Sequence, residues 1–133
     1  VYQDGFLYAF SGRNEPDARF RCVELKTGKL MWDRDESWPA HSAKQPRVFG
    51  RGSAILADGK LIALGEGGRL GLFRPTPERC EEICAWQVPA LRYPCWAAPV
   101  LASHWPSTSL LALVSLAIYR RDAAELPRGL APR

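Results

Sequence analysis

The side chains with the widest chemical scope are four cysteines, Cys22, Cys80, Cys84 and Cys95, and two histidines, His41 and His104. A structural zinc centre needs two ligand pairs at close spacing, and Cys80 with Cys84 supplies one such pair. Cys22 and Cys95 stand alone, and neither histidine has a second ligand within roughly three to five residues. Four cysteines also permit three disulfide pairings, among which a sequence cannot choose. A third reading makes them small buried hydrophobes, the common condition of a free cysteine. All three readings stay open at this level.

Other chemistry-bearing patterns are incomplete. Gly65-Glu66-Gly67-Gly68 is glycine-rich, but no Lys-Ser/Thr follows and no helix opens there, so it is not a phosphate loop. Ser53 follows Gly52 without the Gly-x-Ser-x-Gly elbow of a serine hydrolase. Asp4, Asp58 and Glu66 lie in turn-like stretches, where turn formation accounts for them. His41 and His104 sit in proline-flanked stretches and are expected to face solvent. Of the five tryptophans, Trp32, Trp86 and Trp96 fall on strand-like, repeat-matched positions and are expected to be buried. Trp38 and Trp105 remain, and Trp38, in a long loop beside His41, is the better surface candidate for stacking on a ligand. No residue is assigned a catalytic, cofactor-binding or metal-ligating role.

The elements that must position these residues read as short strands. Residues 6–10 (FLYAF), 19–25 (RFRCVEL), 30–32 (LMW), 53–57 (SAILA), 60–64 (KLIAL), 69–74 (RLGLFR) and 83–88 (ICAWQV) are strand-like runs separated by turn signals. Asp-Gly and Gly-Gly between apolar runs are strong hairpin signals, because such turns need positive φ. One short helical turn is expected over 77–82, with Thr76 as its cap, Pro77 at its first position and Glu78 in its first turn. Residues 14–17 and the longer stretch 36–51 read as loops, and a loop of the second length is where ligand contacts are expected. The fold class is all-β, built of antiparallel neighbours.

Composition narrows the function classes. At 133 residues with 47% hydrophobic content, the chain is long and apolar enough to bury a core, which argues against disorder over its whole length. The 18 Lys and Arg against 14 Asp and Glu leave a net charge of +4 with no basic run, so nucleic acid is not an expected partner. The most apolar run, 110–119 (LLALVSLAIY), is half the roughly 20 residues of a membrane-spanning helix. It reads as a buried strand or a short core helix. The sequence begins at Val1 and carries no secretory signal pattern, which suggests a fragment of a longer protein.

Comparing the halves reveals an internal repeat. Gly5 to Phe10 resembles Gly59 to Leu64, and Leu30-Met31-Trp32 resembles Cys84-Ala85-Trp86, both at an offset of 54. Ser53 to Ala57 resembles Ala98 to Ala102 at an offset of 45, and an insertion over 36–51 in one copy explains the difference. A period of about 40–50 residues with some four strands per unit is the signature of propeller blades. One blade cannot bury both of its faces alone, so it needs neighbours on either side.

The stretches GFLYAF, ELKTGKLMW, SAILADGKLIAL and CWAAPVLA resemble the pyrroloquinoline-quinone-like (PQQ-like) β-propeller repeat, of the kind found in planctomycete-type repeat proteins. Leu25, Thr27, Gly28, Lys29 and Trp32 carry its L-x-TG-K-x-x-W pattern. The resemblance covers 1–102 and implies a partial propeller of about one and a half to two four-stranded antiparallel blades, with the tryptophan packed between blades. It departs over 103–133, which reads either as a divergent strand and tail or as non-native sequence from a shifted frame.

The resemblance implies a non-catalytic scaffold or protein-interaction module, its partners being another protein or the missing blades. The alternative it carries is a piece of a quinone-dependent alcohol dehydrogenase, with PQQ and calcium held only in the full-length parent. No residue here matches the family's cofactor ligands, and the vicinal cysteine pair of such enzymes is absent. Family habit points to the periplasm or cell envelope.

Overall fold

The computed structural model describes residues 1–12, 17–37, 47–103 and 110–111. Two four-stranded antiparallel sheets dominate it. The first runs β1 (Tyr2–Gln3), β2 (Phe6–Ser11), β3 (Arg19–Glu24) and β4 (Leu30–Asp35) in that spatial order. The second runs β5 (Gly52–Ala57), β6 (Lys60–Gly65), β7 (Arg69–Pro75) and β8 (Cys80–Gln87). A short pair, β9 (Ala102–Ser103) with β10 (Leu110–Leu111), follows them.

Local chemistry repeats from sheet to sheet. Each opens on a two-residue Asp-Gly turn with positive φ at both positions: 48° and 92° at Asp4 and Gly5, 49° and 65° at Asp58 and Gly59. That is the turn whose twist matches a right-handed hairpin. Each sheet also carries one register shift between its third and fourth strands, at Cys22/Val23 and at Leu72/Phe73. Aligning these irregularities matches the cross-strand row Tyr8, Cys22, Trp32 with the row Ile62, Leu72, Cys84. It likewise matches Phe10, Phe20, Arg34 with Leu64, Leu70, Trp86. The partner of Trp32 in the second sheet is therefore Cys84, and Trp86 lies one row beyond it. The sequence alignment of the two tryptophans was two residues out, because sequence comparison does not see how ladders pair.

The period-two alternation puts Tyr8, Phe20 and Cys22 on one face of the first sheet and Leu61, Ala63 and Phe73 on the facing side of the second. All six are buried in one core cluster. Phe49, from the connection between the sheets, completes it, with its ring 5.2 Å from that of Phe73 and 6.3 Å from that of Phe10. Phe20 meets Phe73 edge-on at 5.7 Å, so an aromatic contact bridges the two sheets. Gly71 admits this packing, since a Cβ there would lie 2.8 Å from Phe73 and clash with the Phe49 ring.

Three expectations are corrected. No helix forms over 77–82; β8 begins at Cys80, paired with Pro75. Thr76 Oγ1 accepts from Arg79 N–H at 3.2 Å, but with no helix to cap; Thr76 N–H also bonds Arg79 O at 2.9 Å and closes a hairpin. The ladder with β7 satisfies a whole row of backbone groups, which outweighs a weak local helix preference. The stretch 98–102, which the repeat matches to the strand-like run 53–57, becomes a strand only at Ala102, after a proline-punctuated stretch that lacks ladder partners. Trp86 and Trp96 are 58% and 63% exposed rather than buried, because both stand outside the seam between the sheets. Of the apolar run 110–119, only Leu110 and Leu111 are described, as β10.

Candidate functional site

Two glutamates with no exposed surface, Glu36 and Glu66, are the most unusual polar groups of the described structure. Charged side chains are almost never fully buried unless they are paired. Glu36 follows β4, and its Oε2 accepts from Phe49 N–H at 2.8 Å, while Arg34 Nε lies 2.6 Å from its Oε1. Arg34 extends the chain of charge, donating through Nη2 to Glu82 Oε2 at 2.7 Å. Arg69 reaches the other oxygen of Glu82 at 3.2 Å. The result is an alternating row, Glu36, Arg34, Glu82, Arg69, that spans β4, β7 and β8 and therefore both sheets. The two guanidinium groups also lie over aromatic rings, Arg34 5.4 Å from the Phe73 centroid and Arg69 5.3 Å from that of Phe49.

Glu66 serves the same connection from the other side. Its Oε1 accepts from Arg51 N–H at 3.0 Å, and its Oε2 faces Arg51 Nε and Nη2, both at 3.1 Å. Gly50, at φ +64°, makes room, because a Cβ there would run into the Glu66 carboxylate. Glu66 lies in a turn as expected, closed by Gly68 N–H on Gly65 O at 2.9 Å, and in addition its side chain is buried against Arg51. Asp4 and Asp58 are turn residues as expected.

Burial pushes the Glu36 carboxyl above the usual glutamate range, against the pull of the Phe49 hydrogen bond and of Arg34. Neither Glu36 nor Glu66 exposes surface to solvent. Their chemistry is to hold the connection between the sheets by its backbone N–H groups at Phe49 and Arg51. The signal for this was present in the sequence as glycines at 50, 65 and 67 around an acid, but it read as a turn.

The cysteines do not converge. All four are free thiols. Cys80 packs on the core between the sheets, while Cys84 lines the outer face of the second sheet, so the close pair points to opposite sides of β8. Burial raises the Cys22 and Cys95 thiols and pushes Cys80 up to about 12, which leaves these three protonated and poor nucleophiles. Tyr8, hydrogen-bonded to Cys22, is raised too, first by burial. Among the described residues no three His, Cys, Asp or Glu side chains come together as a metal-binding group. His41, His104, Trp38 and Trp105 lie outside the described residues.

The outer face of the second sheet carries an open groove of about 340 Å³, lined by Ile62, Leu70, Gly71, Leu72, Cys84, Ala85 and Trp86. Ligand sites of this size orient a small molecule with a few convergent polar groups. Here the lining side chains offer only the Cys84 thiol and the Trp86 indole N–H.

No helix among the described residues is long and apolar enough to cross a membrane. No family model matches the chain, and no curated protein or solved structure matches it either.

Proposed function

We propose that the chain is part of a non-catalytic scaffold of PQQ-like propeller blades, acting through contacts with protein rather than through a cofactor. The observation that carries this reading is where the charged groups go. Glu36, Glu66 and Glu82 are matched with Arg34, Arg51 and Arg69, in ion pairs that tie the two sheets and the connection between them together. The paired Asp-Gly turns and matched register shifts support a repeat whose units stack face to face. Rigid stacks of this kind leave their connecting loops free for recognition.

Titration of the full-length parent with pyrroloquinoline quinone and Ca²⁺, followed by gel filtration and quinone absorbance, tests the reading. The expected result is no retained quinone and no dye reduction with primary alcohols. Stoichiometric retention of quinone, dependent on Ca²⁺, overturns it in favour of a dehydrogenase.

A further inference from the structure

The groove on the second sheet is the exact counterpart of a surface that the first sheet keeps buried. On the first sheet, Tyr8, Phe20 and Cys22 are 3%, 0% and 0% exposed because the second sheet lies on them. Their counterparts by ladder register are Ile62, Leu70 and Leu72, all apolar and all only half-buried. Trp32, whose Nε1 donates to Thr76 O of the second sheet at 2.8 Å, corresponds to the exposed Cys84. The side chains that receive a facing sheet in one repeat are thus present in the other, with no facing sheet among the described residues.

The chain after β8 places apolar residues on its sheet as the end of the first connection, from residue 47 on, does on the first sheet. Phe49 closes over Phe10, and Leu91 with Cys95 closes over Leu64, the counterpart of Phe10. Cys95 N–H bonds Glu66 O at 2.7 Å, and Ser53 Oγ then bonds Ala97 O at 3.2 Å, which carries the chain across this face to β5. There β9 and β10 begin as an antiparallel pair, as β5 and β6 do after the first connection.

A second copy of the chain is a poor occupant. The face it could offer is the outer side of its first sheet, where Arg19, Arg21, Asp33 and Asp35 form ion pairs at 3.3–3.9 Å. On the second sheet the counterparts of Arg21 and Asp33 are Gly71 and Ala85, small residues that let Phe49 and the first sheet approach. A stacking face is small and apolar at these places; the first sheet's outer face is charged.

We propose that the groove lined by Ile62, Leu70, Leu72, Cys84 and Trp86 is the seat of a third sheet of the same repeat, entered through β9 and β10 of this chain. The proposal rests on the stacked-repeat reading above and adds the surface, its occupant and the direction in which the stack continues.

Cys84 reports on it, because it is the one described thiol that lines the groove. Alkylation of the full chain with iodoacetamide, read by peptide mass spectrometry over a wide dilution series, gives its reactivity against the urea-unfolded protein. The expected result is strong protection of Cys84 at every dilution. Leu72→Lys, and separately Trp86→Lys at the rim, should then raise Cys84 labelling many-fold while Cys22 stays protected, which shows that the two-sheet core is intact. Labelling of Cys84 at the unfolded rate throughout overturns the proposal. Protection that vanishes on dilution overturns it too, by assigning the cover to a second molecule. Retention of quinone with Ca²⁺ tests the scaffold reading separately and leaves this result unaffected.

Discussion

Glu66 holds Arg51 by backbone and side chain together: one carboxylate oxygen takes Arg51 N–H and the other faces the guanidinium. The glutamate is fully buried, while the arginine side chain is 31% exposed. The two partners are therefore unequal under substitution. Arg51→Ala leaves a buried carboxylate with its main counter-charge gone and is expected to cost about 3–5 kcal/mol. Glu66→Gln keeps an acceptor for Arg51 N–H and should cost less. Urea unfolding of both variants checks the order, and a larger loss from Glu66→Gln would show that the pair is not the point of attachment.

Glu36 makes stability depend on pH in the direction opposite to most acids. Burial raises its carboxyl above the unfolded value, so the native state holds the proton more tightly than the unfolded chain does. Its contribution is greatest at low pH and falls as pH rises from the ordinary glutamate value, about 4.3, through the raised one. Asp35, held low by Ser37, and Asp58, held low by Lys60, act the other way and lose their effect as pH falls. Urea midpoints measured between about pH 4 and about pH 7 should fall less steeply in Glu36→Gln than in the wild type. Equal slopes would remove Glu36 as the source.

Gly71 and Phe49 are coupled by contact. A Cβ at position 71 collides with the Phe49 ring and lies 2.8 Å from Phe73, so Gly71→Ala should destabilise by about 1–3 kcal/mol. Phe49→Leu withdraws the colliding ring atoms at its own cost in core contacts. The double variant should then lose less than the sum of the singles, by about 0.5 kcal/mol or more. Strict additivity in a double-mutant cycle would mean that the backbone at Gly71, not the ring, sets the cost.

The strands were legible because alternation and turn signals are local. Residues 6–10, 60–64 and 69–74 were read almost to their observed ends, and the Asp-Gly turn at 58–59 announced its hairpin, while the two-residue β1 before Asp4-Gly5 was too short to show. The failures share another cause. Thr76 to Glu82 carries true helix-start chemistry, which a ladder partner at Pro75 overrides. Glu36 and Glu66 looked like loop acids because their partners, Arg34 and Arg51, matter only once a second sheet excludes water from them. Trp86 looked buried by analogy with Trp32, but burial depends on which face has a neighbour, a property of the stack and not of the strand.

The twin Asp-Gly turns allow a test of backbone strain free of packing. Nothing lies within 4 Å of where a Cβ would stand at Gly59 or Gly5, so an alanine there meets no obstacle but its own φ, +65° or +92°. Gly59→Ala should therefore cost about 1–2 kcal/mol, the penalty of left-handed geometry for a residue with a side chain. Asp58→Asn, by contrast, keeps a residue suited to positive φ and gives up only an exposed pair with Lys60, so it should be close to neutral. The two hairpins differ in what the turn holds: β5 and β6 pair over six residues, β1 and β2 over two. A strained turn on the short hairpin can relax by fraying β1, whereas on the long one it must break a six-residue ladder. Gly5→Ala is thus expected to cost less than Gly59→Ala in denaturant unfolding, and the reverse order would mean that β1 is anchored by more than its turn.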